Sequence, residues 1–136
     1  MQTFVPLTNF QEIVECLDMR RLNKQRIESM QILKALSGLT KGWVNHPAVK
    51  MWKDYEPALE MYMNYCIREW VNRGYKNTMK YSSIGFNLSD IELPNWWDGK
   101  IHSSHRKMLL FKNFEYYNQF GWQEKPEANS YFWPVK

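Results

Sequence analysis

This sequence has no apolar run long enough for a membrane span, and its opening, MQTFVPL, carries no signal-peptide pattern. It has only two cysteines, Cys16 and Cys66, far apart and with neither metal-ligand nor redox spacing. Each reads as a free buried thiol, which fits a reducing compartment. The expectation is a cytoplasmic protein with no membrane partner. Histidine is scarce too: His102 and His105 lie three apart, and His46 is the only candidate for a third ligand. With no HExxH, no paired cysteines and no carboxylate at matching spacing, neither a metal nor another cofactor is expected. The absence of a glycine-rich phosphate loop excludes hydrolysis of the P-loop kind. The absence of a nucleophile elbow or a Cys/His signature argues against a hydrolase triad. There is no repeat, low-complexity tract or linker, so residues 1–136 read as one domain, a length that suits one core.

What the chain does have is aromatic density and positive charge. Aromatics make up 16%, from 7 Trp, 8 Tyr and 7 Phe, and the net charge is +4 with a pI near 9.0. That balance favours an anionic partner. The charge concentrates in Cys16–Gly38, CLDMRRLNKQRIESMQILKALSG, which reads as one long helix with two unlike ends. Its first turns carry Arg20, Arg21, Lys24 and Arg26, and its second half places Ile27, Met30, Leu33 and Leu36 at helical spacing, so these four are expected to face the core. Arg20 and Lys24 share a face. Set against a solvated turn with a Lys24–Glu28 pair, the run holds the side chains that contact phosphates and base edges.

Around that helix the pattern predicts an all-α protein. Met1–Leu7 is extended and stops at Pro6. A short helix follows over Asn9–Leu17, with Asn9 and Glu12 as a capping box. Asp18 can cap the long helix. Asn45-His46-Pro47 reads as a helix start, and Ala48–Arg73 as a strongly helical stretch that Pro57 kinks or splits and Gly74 ends. Tyr75–Lys100 is irregular, with short helical turns near Asn77–Tyr81 and Ser89–Ile91. Trp96-Trp97 lids the core there or forms a wedge for bases. A second basic cluster, His102, His105, Arg106 and Lys107, lies on a helix that Ser103 or Ser104 can cap, with Met108, Leu109 and Phe111 facing inward.

Two basic clusters, three histidines and many aromatics describe a nucleic-acid surface: cations for phosphates and rings for unstacked bases. A protein acting on a base in duplex DNA must take it out of the stack.

Six stretches, MQTFVP, LDMRRLNKQRIESMQIL, WVNHPAVKMWKDYEPAL, EWVNRGY, HSSHRKMLLFKNFEYY and YFWP, span most of the chain. As a set they resemble the pyrimidine-dimer DNA glycosylases of the phage endonuclease V type, and more the uncharacterised branch of that family than its archetype. The resemblance implies a mainly helical domain that needs no cofactor and acts on damaged pyrimidines in double-stranded DNA, here expected as a monomer. It also implies a terminal α-amine that attacks C1′, forms a Schiff base and cuts the strand by β-elimination. An α-amine titrates near 7.7–8.0, so a usable fraction is unprotonated at neutral pH. Two departures are visible. Position 2 is Gln2, too large for ordinary methionine removal, so the nucleophile would be the amine of Met1, or of Gln2 under unusual processing. The family's glutamate falls in an Arg-Glu-Leu-Pro-Arg run, whereas Arg21–Arg26 here holds no carboxylate. Asp18 is the candidate to take over, and Lys24 is a second candidate amine. By the same resemblance Arg20, Arg21 and Arg26 grip phosphates, His46 matches a histidine opening the middle helix, and His102, His105, Arg106 and Lys107 add to the DNA surface. Two rivals stand beside this reading. One is a non-catalytic binder of modified or distorted DNA. The other is an enzyme on a small nucleotide-like substrate, with His102, His105 and Arg106 as its phosphate site.

Overall fold

A computed structural model describes residues 1–129 and 131–135. Among these the chain forms six α-helices, two short 3-10 turns and no strand. The first helix, α1 (Phe10–Cys16), is capped by the Asn9 side chain, which accepts from the Glu12 N–H. The long helix α2 (Met19–Leu36) follows after Leu17 turns extended. The Cys16–Gly38 stretch is therefore not one continuous helix, because the backbone breaks at Leu17-Asp18. Asp18 occupies the N-cap position, but its side chain caps nothing. Gly38, at φ 82°, ends this element in a left-handed conformation that glycine adopts without a Cβ clash.

The inward face of α2 is not the expected one. Leu22, Gln25, Arg26, Ser29, Ile32 and Ala35 are buried, whereas Ile27, Met30, Leu33 and Leu36 are half-buried. Three polar side chains turn inward because buried partners await them: Gln25 meets the chain's first residues, Arg26 meets Asn77, and Ser29 bonds back to the Gln25 carbonyl.

Pro57 splits rather than kinks. A short helix α3 (Pro47–Lys50) gives way to turns, and α4 (Glu56–Asn72) begins with Pro57 in its first turn, where a missing N–H costs nothing. The stripe foreseen for α4 is core: Leu59, Met61, Tyr62, Cys66 and Ile67 are fully buried. This helix packs chiefly against α2, and also against α1. The two thiols are buried and unbridged.

Residues 75–98 are irregular apart from a 3-10 turn at Leu88–Asp90; the helical turn foreseen near Asn77–Tyr81 does not form. Trp96 and Trp97 lid the core, with their indole N–H groups on the Met51 and Thr8 carbonyls. They are therefore not a wedge for bases. Helix α5 (Gly99–Lys112) is capped by Asp98 rather than by a serine, and a last short helix, α6 (Phe114–Tyr117), follows. Met108 and Leu109 face inward as foreseen, but Phe111 is exposed. No helix among the described residues is long and apolar enough to cross a membrane.

Candidate active site

The first six residues run extended through the interior with no strand beside them. Gln2, Thr3, Phe4 and Val5 are all buried. A buried peptide group needs a partner, and helices, whose backbone groups are used internally, cannot supply one. Side chains do so instead. Gln25 on α2 donates from Nε2 to the Gln2 carbonyl (2.9 Å) and accepts at Oε1 from the Phe4 N–H (2.7 Å). The Tyr62 hydroxyl on α4 lies 2.7 Å from both the Phe4 carbonyl and Gln25 Oε1, so its single proton is shared between them. On α5, His105 Nδ1 accepts the Val5 N–H at 2.9 Å, and His102 Nδ1 meets the Val5 carbonyl at 2.6 Å. A carbonyl only accepts, so His102 carries its proton on Nδ1, while His105 leaves Nδ1 bare. Arg106 donates to the Pro6 carbonyl (2.8 Å) and to Glu124 (2.7 Å). The Trp52 indole donates to Thr3 Oγ1 (2.9 Å).

Held this way, the chain delivers its amino terminus to a half-open pocket of about 240 Å³ at the start of α2. Met1, Gln2, Arg20, Arg21, Lys24, Gln25 and Glu28 line one side, and Phe4, Lys112 and Tyr131 complete it. Arg20, Lys24 and Lys112 are exposed, and none forms an ion pair among the described residues. Glu28 is the one carboxylate in the wall, and its Oε2 accepts the Gln2 N–H at 3.4 Å. The foreseen Lys24–Glu28 pair does not form. An amine, a carboxylate and several free cations thus share a single small space. That set can attack an electrophilic carbon, move a proton and hold phosphate oxygens.

The other foreseen residues are not in the pocket wall. One oxygen of Asp18 takes the Tyr117 hydroxyl proton and the other pairs with Arg21 at 3.3 Å. Arg26 is buried, with its guanidinium on Asn23 and Asn77 and over the Trp70 ring, so it does not face a phosphate. His102 and His105 are 2% and 0% exposed, which removes them from any outer surface and from a small-molecule phosphate site. Burial lowers the pKa of both, that of His105 to about 3, so both are neutral at ordinary pH. The Arg106 guanidinium is committed to Pro6 and Glu124. Lys107 is half-buried and outside the pocket. His46 caps α3, with Nδ1 accepting the Ala48 N–H, and its ring meets the edges of Trp43 and Trp133. Burial, and then the charge of the nearby terminal amine, lower its pKa. Among the described residues no group of three or more His, Cys, Asp or Glu gathers as a metal site.

Sequence reasoning missed Gln25, Glu28, Lys112 and Tyr131 as pocket residues. The signal for two of them was present: Arg21, Lys24, Gln25 and Glu28 are spaced three, four and seven apart, one face of a helix. Lys112 and Tyr131 lie far along the chain, and only the fold brings them in.

No curated protein and no solved structure matches the chain significantly. The profile of the pyrimidine dimer DNA glycosylase family, however, matches residues 1–83. That span is more than half of the sequence, and it contains the buried N-terminal segment, α1 to α4 and every pocket residue except Lys112 and Tyr131. From the matched span the conclusion is that this chain belongs to the pyrimidine dimer DNA glycosylase family.

Proposed function

We propose that the protein excises damaged pyrimidines from double-stranded DNA and then nicks the strand as an abasic-site lyase. The observation that carries this reading is the meeting of Met1, Glu28 and the free cations Arg20, Lys24 and Lys112 in one pocket. The terminal amine attacks C1′ of the everted nucleotide. The C1′–N bond breaks and its electron pair leaves with the base. Loss of a proton from nitrogen and opening of the sugar give a protonated Schiff base. Removal of a C2′ proton then expels the 3′ phosphate by β-elimination, and water releases the enzyme. Glu28 is the group placed to accept and return protons in these steps, in place of Asp18, whose oxygens are taken by Tyr117 and Arg21. Arg20, Lys24 and Lys112 hold the flanking phosphates. The amine belongs to Met1, or to Gln2 if Met1 is lost, and Lys24 is the alternative amine in the same wall. Residues 84–136 close the pocket through Lys112 and Tyr131, so we read the chain as one functional domain. One copy supplies the whole wall, which suits a monomer.

A non-catalytic binder of distorted DNA is the second reading. It is favoured by the lack of a carboxylate in Arg21–Arg26, where the family carries one. Borohydride trapping on duplex DNA with one abasic site separates the two. Excision with lyase chemistry gives a covalent adduct that maps to the first peptide, and ultraviolet-irradiated DNA is cut at dimers. Salt-sensitive binding with neither adduct nor cleavage supports the binder instead.

A further inference from the structure

The buried histidine pair plays no part in the chemistry proposed above, and its Nε2 atoms find no partner among the described residues. Both of its Nδ1 atoms are spent on a single residue, the N–H and the carbonyl of Val5. We propose that His102, His105 and Gln25 are positioning residues: they grip the N-terminal segment by its peptide groups, fix its register, and so set where the terminal amine stands in the pocket. The inference rests on the Schiff-base reading for the purpose of that placement, but the grip itself does not.

The argument for register is chemical. A lone segment among helices has no sheet ladder to stop it sliding, and a slip of one residue would move every one of its buried side chains out of the space that fits it. The Val5 bracket blocks a slip toward Pro6. His105 requires an N–H, and His102 requires the carbonyl of the same residue. Sliding the chain by one position would bring Pro6 to His105, and proline has no N–H to give. Gln25 adds two further fixed points, at the Phe4 N–H and the Gln2 carbonyl. The last anchor is therefore one residue from Met1. Terminal residues of most chains wander, whereas here the amine has about one residue of slack, roughly 3.3 Å of chain. Attack at carbon requires reacting atoms about 3–3.5 Å apart, and a misplacement of about 1 Å can cost a hundredfold in rate. Histidine also suits the task because burial keeps His105 neutral near pH 7, which leaves Nδ1 able to accept the Val5 N–H.

The test compares His105→Leu with His105→Asn in the full chain. The asparagine Oδ1 stands in for Nδ1 as acceptor, and leucine offers none. Three quantities are read: the single-turnover rate of borohydride trapping on abasic duplex at saturating protein, the Kd for that duplex, and hydrogen exchange at the Val5 amide. Leucine is expected to slow trapping by about tenfold or more with Kd changed by less than about twofold, and to speed Val5 exchange by about tenfold. Asparagine is expected to restore both rates to within about threefold of wild type and to leave the pH–rate profile unchanged. If His105→Leu fails to fold, Gln25→Met with the Phe4 amide provides the same comparison. Val5 exchange unchanged in the leucine variant would overturn the grip. Faster exchange with wild-type trapping would overturn the placement of the amine. Loss of a limb of the pH profile in His105→Asn would make the residue an acid–base catalyst instead. A wild-type protein that yields no adduct at all sinks the Schiff-base reading, and exchange then still decides whether the pair holds the segment.

Discussion

At the start of α2, Arg20 and Lys24 end in a pocket with no acid on them; on α5, Arg106 ends on Glu124 and a buried carbonyl, and His102 and His105 end on Val5. The two clusters look alike in composition, yet the first leaves Arg20 and Lys24 free, with Arg21 on Asp18 and Arg26 buried on Asn23 and Asn77, and the second spends His102, His105 and Arg106 inside the molecule. The difference comes from what lies opposite. The first turns of α2 face solvent and the amino terminus. The inner face of α5 lies against an extended segment whose carbonyls and N–H groups would otherwise be buried without partners, each at a cost of about 1–3 kcal/mol. Positive charge near a possible phosphate is thus evidence of binding only once its internal obligations are known.

The comparison can be broken most sharply at Glu28, the carboxylate among the free cations. Glu28→Gln is expected to slow strand cleavage by about a hundredfold or more while leaving DNA affinity within about threefold. Wild-type cleavage by this variant would return the pocket to mere binding. Next, Arg20→Ala combined with Lys24→Ala removes two outward cations. Affinity for duplex DNA should fall by about tenfold to a hundredfold, and the slope of log K against log salt should become shallower by about 1.8. Unchanged salt dependence would show that these cations do not meet phosphates.

On α5 the prediction reverses. Arg106→Met leaves the Pro6 carbonyl without this donor and Glu124 with only the Ser103 hydroxyl, and should cost about 1–3 kcal/mol in denaturant unfolding with little change in DNA affinity. A large loss of affinity without loss of stability would move Arg106 to the outward class. The last effect is a slope with pH. Burial depresses the His105 pKa to about 3, below its unfolded value. The unfolded chain therefore takes up a proton that the folded chain refuses. Stability is complete above about pH 6.5 and falls as pH drops toward 3, by up to about 1.4 kcal/mol per pH unit. His102, lowered for the same first reason, adds in the same direction. His105→Asn should flatten this slope, and an unaltered slope would show that the ring titrates freely.

How far these features were legible in the sequence differed by element. The helices announced themselves: Asn9 capping α1, Gly74 ending α4 and the apolar stripe of α4 are local patterns that the structure repeats. The inward face of α2 was misread, because Gln25, Arg26 and Ser29 resemble surface residues until their partners are known. Asp98 capped α5 in place of a serine because its carboxylate reaches two N–H groups at once.

The order of chain elements, the all-α class and the cationic first turns of α2 were determined by the sequence itself, since spacing, capping and charge act over a few residues. Tertiary structure alone decided which basic residues remained free. It brought Lys112 and Tyr131 to the amino terminus, turned Glu28 rather than Asp18 toward it, and spent His102, His105 and Arg106 on the buried N-terminal segment. The physical reason is that a peptide group taken out of water must find a partner, and which side chain answers depends on residues up to a hundred positions away.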